Sequence, residues 1–117
     1  MRSRTGYRWT GTVAVTAALA AVTASGAAWP ADVAAGREKA RQCAACHGLD
    51  GMSRLPDAPN IGGESSIYLE RQLRLFRSGE RQHPQMSIIA QGLSDEDISD
   101  LSAYYGAIEI EVTSVPE

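Results

Sequence analysis

Both cysteines of the 117-residue chain fall in one pentapeptide, Cys43-Ala44-Ala45-Cys46-His47. Two thiols in this C-x-x-C spacing can each add to a vinyl group of haem to form thioethers. An imidazole directly after the second thiol then stands where it can bind the iron axially. A chain that must close around so large a group at so fixed a point has few folds open to it. On its own the pentapeptide also fits a thiol-disulfide site or part of a zinc site, so the surrounding sequence has to discriminate.

The N-terminal stretch reads as an export signal. Arg2, Arg4 and Arg8 give a positive start, Val13 to Ala24 is a run of small apolar residues with two threonines, and Ser25-Gly26-Ala27-Ala28 offers small residues for cleavage. The apolar run of 12 residues is well short of the roughly 20 that span a bilayer, so no stable membrane anchor is expected. Cleavage is placed after Ala27 or Ala28, which makes residues 1–28 a signal peptide and the protein periplasmic. The 89 residues that remain form one small domain, 29–107, followed by a tail, 108–117. A domain of that size has a thin apolar core, and a buried cofactor would supply much of the missing volume.

Eight basic and 14 acidic residues follow the signal, a formal charge of -6. Binding to nucleic acid or to an anionic membrane is not expected. The basic residues all lie between Arg37 and Arg81, and from Gln82 onward there are seven acidic residues and no basic one. Such a division can give a two-toned surface that orients an electron-transfer partner.

Asp32 is an N-cap, and Val33, Gly36, Ala40 and Cys43 recur at helical spacing, which predicts a first helix ending at the pentapeptide. Gly36 inside that helix suggests that another helix crosses closely there. From Gly48 to Gly63 the abundance of Gly, Pro, Asp and Asn predicts a long loop able to wrap one side of a cofactor. Ser65 or Ser66 starts a second helix with the stripe Leu69, Leu73 and Phe76, stopped at Gly79. Residues 86–91 make a short helical turn. Ser94 with Asp97, flanked by Leu93 and Ile98, has the layout of a capping box and hydrophobic staple at the start of the last helix. The tail Ile108 to Val112 alternates like a strand but has no evident partner strand. The fold class is therefore all-α, with three to four helices and long connections.

This frame selects the chemistry. A thiol-exchange site normally opens a helix after a strand, and here strands are missing. A zinc site needs about four ligands, and beyond Cys43, Cys46 and His83 a fourth is hard to name. One covalently bound haem c remains, with His47 on one face of the iron. Met52 is only five residues from His47, whereas Met86 lies 39 residues downstream and is placed to reach the opposite face. His83 is the competing ligand for that face.

The chain resembles a class I c-type cytochrome, most closely one half of the periplasmic two-haem cytochromes of the c-four type, or a small single-haem relative. The resemblance rests on Gly36, on Cys43 through Gly51, on Pro59-Asn60-Ile61-Gly62-Gly63, and on Tyr68-Leu69 with Gln72-Leu73 and Phe76. It continues through Ser78-Gly79-Glu80-Arg81, Pro84-Gln85-Met86 and Leu93 to Ile98, and ends at Ala103-Tyr104-Tyr105. It implies a small cytochrome c fold wrapped around one haem. Cys43 and Cys46 are then the thioether positions, and His47 and Met86 the axial ligands. The Pro59 carbonyl accepts a hydrogen bond from His47, and Gly36 lies beneath an aromatic of the Tyr104-Tyr105 pair. Glu64 and Met52 depart from the family's usual residues at their positions, outside this ligand set.

The resemblance implies a carrier of single electrons between redox proteins, not an enzyme. A cytochrome subunit of a periplasmic dehydrogenase is the alternative, with the 108–112 tail as its docking strand. A haem-based gas sensor, with Met86 displaced by NO or CO, is a third.

Overall fold

The computed structural model describes residues 30–117; the expected signal peptide, residues 1–28, lies outside them. Helix α1 spans Val33–Lys39 and starts at Asp32, whose carboxylate accepts the amides of Ala34 (2.8 Å) and Ala35 (3.1 Å). The expected first helix is not continuous up to the pentapeptide. After Lys39 the chain tightens into a 3-10 turn, Ala40–Gln42, and Ala44–His47 then forms the one-turn helix α2. In a 3-10 turn residues three apart eclipse. Cys43, whose amide bonds to the Ala40 carbonyl, is thereby brought above fully buried Ala40 and against the core. Taken as one interrupted helix, these pieces make four helical segments with α3 (Ser66–Ser78), α4 (Met86–Gln91) and α5 (Asp95–Gly106). No strand occurs among the described residues, and no helix among them is long and apolar enough to cross a membrane.

α1 and α5 cross at Gly36. A Cβ there would overlap the carbonyl of Asp100 and come within 2.8 Å of Tyr104 Cβ, so the two backbones touch. Beside the crossing, Lys39 Nζ lies 2.7 Å from Asp100 Oδ2 and 2.9 Å from Asp97 Oδ1, and the Asp32 amide donates to Asp100 Oδ1 at 2.8 Å. The Asp100 side chain is only 3% exposed, so these partners stand in for water. Ala40, Leu69, Leu93, Ile98, Leu101 and Tyr105 form the core between α1, α3 and α5. α3 ends at Gly79 in the left-handed conformation, φ 82°. Ser65 stands at its start without a side-chain cap bond. α5 starts with the complete Ser94-Asp97 capping box, and buried Leu93 and Ile98 flank it.

The charge division of the sequence is bridged in part within the fold. Arg74 and Arg77 of α3 both pair with Asp95, and Lys39 pairs with the acidic start of α5. The tail carries no regular structure. Its first part rests on the domain: Ile108 packs against the core, and Gly63 abuts the Ile110 side chain.

The ion cluster sets the response to acid. The Ser94 amide, with help from Lys39, holds the Asp97 carboxyl at about 2. Burial alone would push Asp100 up, but the Asp32 amide and Lys39 together hold it below the usual carboxylate range. Both carboxyls are depressed in the folded state, so their stabilisation is present above the ordinary carboxylate range and is lost as pH falls below it, toward 2 for Asp97. Acid unfolding followed by far-UV circular dichroism is expected to begin within that window. In Asp97→Asn, stability between pH 4 and 2 should vary less with pH.

Candidate haem-binding site

Cys43 precedes α2, and Cys46 and His47 lie in its single turn, so both thiols and the imidazole sit on about one turn of chain. The amides of Cys46 and His47 bond to the Cys43 carbonyl at 3.2 and 2.9 Å, and Gly48, φ 72°, turns the chain out of the helix. Both cysteines are free thiols and partly buried. Burial, with the neighbouring Cys46 adding to it, pushes the Cys43 thiol up to about 11. Thiol-exchange sites do the opposite, lowering the thiol into the neutral range. Among the described residues no group of three or more His, Cys, Asp or Glu side chains is placed to hold a metal ion.

His47 is buried, at 7% exposure, and its ring Nδ1 lies 2.9 Å from the Pro59 carbonyl, to which it donates. That contact spans the long loop and fixes both the tautomer and the ring orientation. The other ring nitrogen, Nε2, makes no protein hydrogen bond among the described residues and keeps its lone pair for a metal. Two free thiols and an oriented, metal-competent imidazole on one short segment fit a covalently attached haem.

Several contacts hold the segment after His47 in place. Tyr105 donates its hydroxyl to the Gly48 carbonyl (3.0 Å) and Tyr104 to the Leu49 carbonyl (2.7 Å). Burial, chiefly, pushes the Tyr105 hydroxyl well above its usual range, so it remains a donor. The Arg54 amide bonds to the Cys46 carbonyl at 2.8 Å, and the amides of Ile61 and Gly62 both bond to the Gly51 carbonyl. The sequence shows that buried tyrosines need acceptors for their hydroxyls. It does not show that the acceptors are the carbonyls next to His47.

Met86 is on a separate element. It is the first residue of α4, which packs on α3, and its side chain is partly buried. Met52 lies within the loop, with its amide bonded to Asp50. His83 is exposed, edge-on to Phe76 with ring centroids 6.4 Å apart, and its Nδ1 faces the amides of Gln85 and Met86.

A family profile described as Cytochrome c matches residues 33–105. The chain is 47% identical over 81 residues to cytochrome c-554(548) of Halomonas halodenitrificans, covering 67% of this chain and 98% of that protein. It is 39% identical over 82 residues to the thiosulfate dehydrogenase electron acceptor of Thiomonas intermedia, covering 68% of this chain and 37% of that protein. The crystal structure of reduced recombinant cytochrome c4 from Pseudomonas stutzeri superposes with a TM-score of 0.63 at 33% identity, over 68% of this chain and 46% of that one. The chain therefore spans nearly the whole of the first relative and less than half of the other two. With its paired thiols, its oriented imidazole and this match across α1 to α5, the chain belongs to the cytochrome c family of electron-transfer proteins, which carry covalently bound haem c.

Proposed function

We propose that Cys43 and Cys46 hold the haem through two thioethers, that His47 and Met86 ligate its iron, and that the protein carries single electrons between periplasmic redox partners. The observation that carries this reading is buried His47, anchored by Pro59 and sharing one turn of chain with two free thiols. The haem supplies an iron centre that gains and loses one electron. The protein's part is to keep the coordination sphere unchanged while that happens. Pro59 holds the His47 ring, the Tyr104 and Tyr105 hydroxyls hold the backbone that follows it, and the α1-α5 crossing holds the tyrosines. Ligands on both faces leave no open position for O2. Met86 is favoured over His83 because the His83 Nδ1 accepts backbone amides, which puts the ring proton on Nε2 and leaves no free lone pair for iron. The signal-like residues 1–28 support export, with attachment of the haem after translocation.

A second reading is that the protein is the electron-accepting subunit of a dehydrogenase complex, supported by its identity to the thiosulfate dehydrogenase electron acceptor. Exposed Ile110, Val112 and Val115 give the tail an apolar edge for such a partner. Size-exclusion chromatography of a native extract separates the two: haem eluting at monomer size supports the free carrier.

A redox titration of the matured protein, followed by visible spectroscopy, tests the carrier function. One single-electron transition between two low-spin states is expected. A high-spin spectrum at either end of the titration would argue against ligation on both faces.

A further inference from the structure

We propose that His83 is a positioning residue for Met86: its imidazole caps the turn that carries the methionine and thereby strengthens the methionine's hold on the iron. This rests on the assignment of Met86 as a ligand made above. The backbone turns three residues before α4 begins, because the His83 carbonyl accepts the Ser87 amide at 3.0 Å, and the Gln85 carbonyl then accepts the Ile89 amide at 3.1 Å. His83 thus opens the turn His83-Pro84-Gln85 that leads into α4. The amides of Gln85 and Met86, which have no partner within the helix, both point to His83 Nδ1 at 3.3 Å. Accepting them requires the ring proton to be on Nε2. The bond is returned, since the His83 amide donates to Ser87 Oγ at 3.0 Å. The imidazole and the Ser87 hydroxyl thus accept backbone amides across the same turn.

The cap is itself tied to the domain. The His83 ring stands edge-on to Phe76, which is buried in α3, and the Arg81 guanidinium covers the same phenyl ring at 4.5 Å from its centroid. The Arg81 amide bonds back to the Leu75 carbonyl at 3.0 Å. The loop from Gly79 to Pro84 is therefore fastened to α3 at both Arg81 and His83. A methionine sulfur is a weak ligand on a flexible stem, so its occupancy of the iron depends on how firmly its backbone is held. Here the Met86 amide itself is one of the two groups being held.

The test is displacement of the sixth ligand from the ferric holoprotein by added imidazole, with the methionine-to-iron charge-transfer band as the spectroscopic marker. A helix cap contributes about 1 kcal/mol, so His83→Ala is expected to raise the apparent affinity for imidazole about fivefold. His83→Asn, which keeps an acceptor at the same place, should return it to the wild-type value. Unchanged affinity in His83→Ala with the band retained would overturn the positioning role alone. A raised affinity that His83→Asn does not restore would assign the effect to lost packing on Phe76 and also overturn the cap. Absence of the band from the wild-type protein would overturn the methionine assignment and the positioning role with it.

Discussion

Gly36→Ala is expected to lower the stability of the matured protein by about 3 kcal/mol, and its melting temperature by about 15 °C. Two effects oppose each other at this position. Alanine is favoured over glycine within a helix by about 1 kcal/mol. Against that, the new methyl group would overlap the backbone carbonyl of Asp100 and crowd Tyr104 Cβ. A carbonyl within α5 cannot swing aside as the end of a long side chain can, so the two helices must separate. Separation opens the packing around Ala40 and lengthens the Lys39-Asp100 contact, which is why steric overlap outweighs propensity. Gly79→Ala is the control. That glycine has a positive φ of 82° and nothing within 4 Å of the added carbon, so only the left-handed backbone penalty of about 1–2 kcal/mol is expected. Thermal unfolding of both variants checks the difference.

Lys39→Met is expected to cost about 2–3 kcal/mol, because it leaves the Asp100 carboxylate buried with only the Asp32 amide to replace water. The lysine is a quarter exposed and the acid 3% exposed, so most of the loss is the cost of the stranded carboxylate and little of it is lost attraction across solvent. Without the ammonium, burial pushes the Asp100 carboxyl up with less opposition. The variant should therefore begin to lose stability at a higher pH than the wild type as acid is added. Lys39→Met with Asp100→Leu should recover a good part of the loss, and a double-mutant cycle should give a coupling energy above about 1 kcal/mol. Additive effects would show that the pair does not act as a unit.

What the sequence made legible follows from the range of each signal. The capping box at Ser94 and Asp97, the stop at Gly79 and the stripe of Leu69, Leu73 and Phe76 depend on neighbours within a turn or two, and all of them are present in the fold. Gly36 gave a longer-range signal because a glycine in mid-helix is costly unless a backbone approaches it. The division of the first helix at Ala40 has no signature in the sequence, since the apolar spacing of three and four residues fits a 3-10 turn and an α-helix equally well. The charge pattern carries a longer-range relation that the sequence does not display. Arg74, Arg77 and Asp95 are far apart along the chain and adjacent in space, so a division in sequence became a set of internal ion pairs.

At the site, Cys43, Cys46 and His47 were readable because their geometry is local to one turn. The hydroxyls of Tyr104 and Tyr105 act on carbonyls more than 50 residues away, and no pattern in the sequence names those acceptors. His83 is the instructive case. As a sequence residue it competed with Met86 for the iron, whereas in the fold its Nδ1 receives the Met86 amide. The imidazole and the methionine were both legible, but not the hydrogen bonds of the turn that joins them, which run from the Met86 amide to His83 and from the His83 amide to Ser87.

The most direct test of the account is the visible spectrum of the ferrous holoprotein under carbon monoxide, for the wild type and Met86→Ala side by side. The wild type is expected to stay low-spin and not to bind carbon monoxide, and Met86→Ala to become high-spin and bind it. A Met86→Ala protein that keeps the wild-type low-spin spectrum and excludes carbon monoxide would contradict that expectation, because another side chain would then hold the second face of the iron.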